Sequence, residues 1–284
     1  MMPSLPHRRL SGGLTPVAAA LLLALTGCQP KAPEVAMTTP AAPAVNATTA
    51  TKTTDPAAIW PQLQIPRQGN AEEEAKVAKL LAAMTLEQKI AQMIQPEIRD
   101  ITVEDMRKYG FGSYLNGGNT APYGQKQANA KTWLQYADEM YAASIDSSED
   151  GSSIPTIWGT DAMHGHSNVY GATLFPHNIG LGAAADPELI HRIGVATAKE
   201  VAATGIEWSF APTVAVVRDD RWGRAYESWS EDPQIVGAFA GKMVEGLQGE
   251  GGSEAFLSNN HVIATAKHFI GDGGTLHGVD RGPT

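Results

Sequence analysis

The sequence has 284 residues, of which 43% are hydrophobic and 18% are charged, which is enough for one large globular domain. The 30 acidic residues outnumber the 21 basic ones, and the formal charge of −9 argues against nucleic acid or an anionic membrane surface as the main partner. The single cysteine excludes an intrachain disulfide and a metal site made of several cysteines.

The first 28 residues have the pattern of an export signal. A basic patch at residues 7–9 precedes an apolar run from Pro16 to Leu25, which is too short to span a bilayer but suits the core of a signal peptide. The run ends in Leu-Thr-Gly-Cys, which resembles the cleavage box of bacterial lipoproteins, where the cysteine becomes the lipidated first residue. We therefore expect residues 1–28 to be a lipoprotein signal peptide with Cys28 as the lipidation site. The alternative is an ordinary signal peptide that contains a cysteine.

The residue after Cys28 is Gln29 rather than aspartate, a pattern that resembles lipoproteins sorted to the outer membrane of Gram-negative bacteria. We expect an exported protein, periplasmic or held at the outer membrane, that meets the membrane only through its lipid anchor. Residues 29–57 consist mostly of Ala, Thr and Pro and have almost no large apolar side chains. Such a segment cannot bury enough surface to offset its ordering entropy, so a disordered linker is predicted there.

The folded part is predicted to span residues 58–284 and to begin with two helices. Between Asn70 and Gln95 the apolar residues recur at helical spacing, and Thr85 with Gln88 three positions later is typical of a new helix start. Further helices are predicted over 125–143, 186–204 and 233–248. The second of these has Asp186 as its N-cap, proline at its first position and Gly205 as its C-terminal stop.

Short apolar runs at residues 111–115, 154–159, 207–211 and 262–266 alternate with these helices and predict strands. The alternation is typical of an α/β fold with a parallel sheet covered by helices, and about five strands are expected. Polar clusters follow the strands at GTDAMHGHSN, RDDRWGRAYESWSED and KHFIGDGG. In a parallel barrel these loops converge on one mouth, and a charge directly behind an apolar strand is costly unless it is paired or faces a ligand.

Three long motifs, in order, carry a specific resemblance: residues 159–194, 218–233 and 266–274. Together with MTLEQKIAQM near the start of the fold, they resemble the first domain of glycoside hydrolase family 3, in the branch of β-glucosidases and β-glucan exohydrolases. The resemblance covers about residues 60–284. It implies a partial TIM-like (β/α)8 barrel, a retaining exo-β-glucosidase that releases glucose from the non-reducing end of β-glucans or cello-oligosaccharides, and no metal or other cofactor.

The resemblance also implies four substrate-binding residues: Asp161, Arg224, Lys267 and His268 match the family's residues that grip the non-reducing sugar. Their chemistry suits that role. A carboxylate accepts from two vicinal hydroxyls at once, whereas the three basic groups donate to ring oxygens. Loss of one such charged partner is expected to cost about 1.5–3 kcal/mol of binding free energy.

Structural roles are possible for the same residues. For Asp161 the alternative role is that of a helix N-cap. For Arg224 the alternative is a buried ion pair with Glu227 that holds a loop. This ion pair is compatible with sugar binding if Glu227 orients Arg224. Trp208 and Phe210 are expected in the core rather than as a sugar-stacking platform, and both interpretations stay open for the two tryptophans of the polar loop, Trp222 and Trp229.

The catalytic pair that the resemblance implies is not found in this sequence. A retaining glycosidase needs a nucleophile and a general acid/base about 5–5.5 Å apart. The family's nucleophilic aspartate lies in a Ser-Asp-Trp-like motif, which does not occur here, and its acid/base belongs to a second domain. We therefore expect both residues beyond residue 284, so that the chain is an incomplete first domain and inactive by itself.

Two rival functions remain open. One is a metal-dependent hydrolase on a similar barrel, which would use His164, His166 and His268 as ligands. The other is a non-catalytic, sugar-binding lipoprotein at the cell surface.

Overall fold

A computed structural model of the chain describes residues 70–284. The predicted signal peptide with Cys28, the predicted linker at 29–57 and the first residues of the predicted domain from 58 lie outside the described residues. Within the described part, no helix is both long and apolar enough to cross a membrane.

The described part opens with two capped helices, as the sequence predicts. Helix α1 (Ala71–Ala83) begins after Asn70, whose side chain accepts from the backbone N–H of Glu73. Helix α2 (Leu86–Ala91) begins at the capping box of Thr85 and Gln88, in which each side chain accepts from the other residue's backbone N–H. Each side-chain cap satisfies a backbone donor that the helix itself leaves unpaired, typically worth about 1 kcal/mol.

Four parallel strands form an open sheet in the order β1-β2-β3-β4. Their bounds are Ser113–Asn116 for β1, Ile157–Thr160 for β2, Trp208–Ser209 for β3 and Ile263–Ala264 for β4. A single parallel bridge between Glu97 and Leu115 extends the sheet beyond β1. The expected partial barrel is confirmed: residues 70–284 contain four parallel strands, and the bridge at Glu97 adds a fifth, single-residue pairing beside β1.

The remaining helices connect the strands. Their bounds are Val103–Tyr109 for α3, Ala130–Ser144 for α4, Ser147–Asp150 for α5, Asn178–Ala184 for α6, Pro187–Ala202 for α7 and Pro233–Gln248 for α8. The prediction that α4 starts at Gln125 is wrong, because residues 125–128 form a turn and the Asn129 side chain caps the helix. The predicted Asp186 cap and first-position proline of α7 are present, and the helix ends two residues before Thr204.

The core lies between the sheet and these helices. The indole rings of Trp133 on α4 and Trp158 on β2 stack at 5.4 Å, and Trp158 also stacks on Tyr114 of β1 at 5.1 Å. Helices α7 and α8 meet at Gly194 and Gly246, where a Cβ on Gly246 would come within 2.4 Å of a backbone oxygen of α7. This packing fixes the strands, and so it fixes where the loops at their carboxyl ends begin.

Candidate functional site

The loops after β2 and β4 meet through one ion pair. Asp161 directly follows the last residue of β2, and its Oδ1 lies 2.6 Å from the Nζ of Lys267. Lys267 is placed by a continuation of the sheet beyond β4, because its backbone N–H donates to Pro212 and its carbonyl accepts from Val214. Two residues 106 positions apart in sequence therefore share one hydrogen bond at the carboxyl end of the sheet.

The loop after β3 supplies a second ion pair. Arg224 immediately precedes a short 3₁₀ turn, Ala225–Glu227, which brings its guanidinium onto the Glu227 carboxylate. The contact is bidentate, with Arg224 Nε and Nη2 at 2.7 and 2.8 Å from the two carboxylate oxygens. Bidentate pairing of this kind fixes the plane of the guanidinium as well as its charge.

The surroundings of Glu227 favour its charged form. Burial of its side chain acts to raise the pKa of the Glu227 carboxyl. The hydrogen bonds and charge of Arg224, assisted by the charge of Lys267, outweigh burial and hold that pKa below its ordinary value. The same hydrogen bonds raise the pKa of Arg224, so the pair is charged at neutral pH.

His268 connects to this pair. Its Nε2 lies 3.2 Å from Nη2 of Arg224, and its Nδ1 lies 2.7 Å from Oδ2 of Asp272. The structure thus brings all four sequence-predicted residues together in two groups, Asp161 with Lys267 and Arg224 with His268, rather than scattering them over separate faces of the domain.

A cleft of about 430 Å³ lies between these loops. Asp161, Arg224, Glu227 and Lys267 line it. A second cleft, of about 340 Å³, is lined by Arg224 together with His268 and Asp272. Because Arg224 lines both, the two clefts share a wall. The first cleft has a size suited to one pyranose ring and a lining rich in groups that bind hydroxyls.

The contacts of Asp161 and Arg224 distinguish between their binding and structural roles. Asp161 is not a helix N-cap, because no helix starts after it before α6 at Asn178, and its carboxylate binds Lys267 instead. The Arg224–Glu227 ion pair is present, so Glu227 orients Arg224 while the guanidinium still reaches the cleft. The two alternatives for Arg224 are therefore compatible with each other.

The aromatic candidates are packed. Trp222 and Trp229 are 1% and 3% exposed, so neither offers a free face for a sugar ring. Trp208 packs edge-to-face on Phe210 at 4.9 Å, and its indole N–H donates to the hydroxyl of Thr265. These contacts are typical of core aromatics.

The histidines of the H-x-H segment bind to separate parts of the fold. His164 Nδ1 lies 2.9 Å from the carbonyl oxygen of Phe175, whereas His166 Nε2 lies 2.9 Å from the hydroxyl of Thr204. Burial lowers the pKa of His166 to about 4, which is typical of a neutral core imidazole. In residues 70–284, no three His, Cys, Asp or Glu side chains are grouped closely enough to hold a metal ion.

Sequence reasoning did not identify three polar residues of these clefts. Asp272 binds His268, while Asn168 and Asp280 line the larger cleft beside Asp161 and Arg224. The Asp280 carboxylate also accepts from the indole N–H of Trp222. Asp272 lies in the quoted KHFIGDGG motif, but only the tertiary structure shows that its carboxylate faces the imidazole.

Comparison with known proteins places this geometry in a family. Residues 85–284 match the sequence model described as "Glycosyl hydrolase family 3 N terminal domain". The chain belongs to glycosyl hydrolase family 3. The first domain of this family is a (β/α) barrel, and the open four-stranded parallel sheet of this chain is part of such a barrel.

Individual relatives agree with the family assignment. The chain is 31% identical over 245 residues to the lysosomal beta glucosidase of Dictyostelium discoideum, covering 78% of this chain and 29% of that protein. Among solved structures, it is 71% identical to the exo-1,3/1,4-beta-glucanase ExoP of a Pseudoalteromonas species, with a TM-score of 0.75 and coverage of 78% of this chain and 28% of that one.

A third relative is more distant. The chain is 26% identical to the beta-glucosidase of Listeria innocua solved in complex with glucose, with a TM-score of 0.58 and coverage of 74% and 28% of the two chains. The chain thus spans less than a third of the length of each of these three relatives.

The Arg224–Glu227 pair predicts a pH-dependent contribution to stability. The pKa of Glu227 in the folded state lies below its ordinary value of 4.5. The charged carboxylate therefore contributes its full stabilisation of the folded state above pH 4.5, and this contribution is lost as the pH falls toward the folded-state pKa. The free energy of unfolding of the wild type should exceed that of Glu227→Gln. This difference should be constant near neutral pH and should decrease as the pH falls below 4.5. Denaturant unfolding at a series of pH values measures this, and a difference that grows on acidification would contradict it.

Proposed function

We propose that this chain supplies the glucose-binding part of a retaining exo-β-glucosidase that releases glucose from the non-reducing end of β-glucans or cello-oligosaccharides. The observation that carries the proposal is the convergence of one carboxylate and three basic groups at one end of the sheet, through the Asp161–Lys267 and Arg224–His268 contacts. Support for the reaction comes from the relatives, which are a beta glucosidase, an exo-1,3/1,4-beta-glucanase and a beta-glucosidase in complex with glucose.

Each group has a distinct part in holding the sugar. The two carboxylate oxygens of Asp161 accept hydrogen bonds from neighbouring hydroxyls of the sugar. One of these oxygens, Oδ1, is bound to Lys267 in the structure, so a sugar hydroxyl takes over part of that contact. Arg224 and Lys267 contribute N–H donors only, which fixes the hydroxyls that face them as acceptors. Glu227 holds the guanidinium plane and compensates its charge.

The bond-breaking step requires two further carboxyl groups about 5–5.5 Å apart, one as nucleophile and one as general acid/base. We assign neither role to a residue of this chain, because the family's Ser-Asp-Trp-like motif does not occur in it. In this proposal the described residues bind the substrate, and the remainder of the protein carries out the covalent chemistry. The proposed reaction requires no metal ion or other cofactor.

Replacement of Asp161 tests the proposed site. Asp161→Asn keeps the size of the side chain but removes its charge, and it should weaken D-glucose binding by about 10-fold or more, the equivalent of one charged hydrogen bond of about 1.5–3 kcal/mol. Isothermal titration calorimetry with D-glucose measures this. Asp138→Asn is the matched control, since Asp138 is exposed on α4 and lines neither cleft, and it should bind as the wild type does.

Equal binding by wild type and Asp161→Asn would contradict the proposed site. The reaction itself is tested separately in the protein that contains this chain, with an aryl β-glucoside as substrate. Glucose binding without turnover there would support the non-catalytic, sugar-binding lipoprotein instead.

We further propose that the protein is a lipoprotein anchored through Cys28, in the periplasm or at the outer membrane of a Gram-negative bacterium. The support is the sequence alone: a basic start, a short apolar run, and the only cysteine of the chain at the end of Leu-Thr-Gly-Cys. A lipid anchor before a linker of 29 residues, from Gln29 to Ala57, would let the enzyme reach soluble oligosaccharides from the membrane surface.

Substitution of the cysteine tests this localisation. In Cys28→Ser the acceptor for the lipid is absent, so the protein should move from the membrane fraction to the soluble fraction, and labelling with a radioactive fatty acid should be lost. Fractionation of cells that express each form measures both effects. A wild-type protein that is unlabelled and soluble would contradict the anchor.

A further inference from the structure

The imidazole of His268 is held from both sides. Oδ2 of Asp272 lies 2.7 Å from its Nδ1, and Nη2 of Arg224 lies 3.2 Å from its Nε2. The Asp272 side chain is 16% exposed, so water competes little for its carboxylate. The ring therefore has defined partners at both nitrogens, which determines where its proton lies.

The donor and acceptor roles follow from the chemistry of arginine. A guanidinium has N–H donors and no acceptor, so Arg224 donates to Nε2, and Nε2 presents a lone pair. The proton of the neutral ring is then on Nδ1, where it is donated to the Asp272 carboxylate. This assignment comes from the hydrogen-bond network, and both contacts require the same tautomer.

The backbone holds Asp272 in place for this contact. The next residue, Gly273, has a φ of +86°, and a Cβ at that position would come within 2.7 Å of the carbonyl oxygen of Val216. The Gly273 carbonyl accepts from the backbone N–H of Arg218 at 3.0 Å. The loop after β4 is thereby fixed to the loop after β3 at the residue that follows Asp272.

We propose that Asp272 is a positioning residue for substrate binding: it holds His268 as the Nδ1–H tautomer, so that Nε2 accepts a hydrogen bond from a sugar hydroxyl. This rests on the proposed function and refines it, because the sequence alone suggests His268 as a donor. In the structure Arg224 is the partner of Nε2. A hydroxyl both donates and accepts, so it can bind Nε2 and leave Arg224 free for a neighbouring oxygen.

The tautomer can be measured without any sugar. The chain has 8 histidines, and selective ¹⁵N labelling of their rings, with His268→Gln to assign the signal, reports which nitrogen of His268 carries the proton. At neutral pH we expect a protonated Nδ1 and an unprotonated Nε2 in the wild type. In Asp272→Leu only the contact from Arg224 still favours Nδ1–H, so part of the population should shift toward Nε2–H. In Asp272→Asn the amide oxygen still accepts, so most of the Nδ1–H form should be retained.

Unchanged signals from the other labelled histidines show that each variant keeps its fold. A wild-type His268 protonated only on Nε2, or a tautomer that is the same in Asp272→Leu as in the wild type, would overturn the proposal. Because no ligand is added, this result stands whether or not the protein binds glucose.

Binding gives the second readout. Asp272→Leu should weaken D-glucose binding on the order of tenfold, Asp272→Asn should weaken it less, and the control Asp138→Asn should leave it unchanged. In a His268→Ala background, Asp272→Leu should have little further effect, because Asp272 acts through the imidazole. Effects of Asp272→Leu that are equal with and without His268 would show a general structural role and overturn the proposal. Failure of the wild type to bind glucose would instead contradict the proposed function, and the ring signals would then decide the role of Asp272.

Discussion

The site depends on the contact between Lys267 and Asp161, which joins the loops after β2 and β4 across the intervening strand β3. Their side chains are 16% and 41% exposed, and because water reaches the Asp161 carboxylate, the pair is expected to add only about 0–1 kcal/mol to folding stability. The value of the contact is therefore not stabilisation of the fold. The contact compensates two charges that line the cleft, and in the proposed function both remain available to a ligand rich in hydroxyls.

Much of the fold was predictable because its signals are local. The capping box at Thr85 and the Asp186 cap with its following proline depend on hydrogen bonds within one turn, so they can be recognised in the sequence. The start of α4 was not predictable from composition, since residues 125–128 suit a helix but instead follow the turn Pro122–Gly124. The extent of each strand was also hard to predict, because the segment at Glu97 pairs through one bridge only and pairing between strands is a property of the whole sheet.

The residues of the site likewise differ in whether a local sequence signal identifies them. Asp161, Arg224, Lys267 and His268 were recognisable because each lies in a motif that resembles a known family. Their partners were harder to identify. Glu227 lies three residues from Arg224 and was suggested by that spacing, whereas the contact of Asp272 with His268 arises from the path of an irregular loop. The residues proposed to bind the sugar carry a sequence signal, whereas the residues proposed to set their protonation and orientation are identified only by the tertiary structure.

A crystal structure of the protein soaked with D-glucose tests the central claim most directly. We expect one sugar ring in the cleft between the loops, with its hydroxyls within hydrogen-bonding distance of all four residues, Asp161, Arg224, Lys267 and His268. The contact from Lys267 to Asp161 should be lengthened or shared with the ligand. A glucose bound elsewhere, or one that contacts only one of the four while both ion pairs stay as they are, would contradict it.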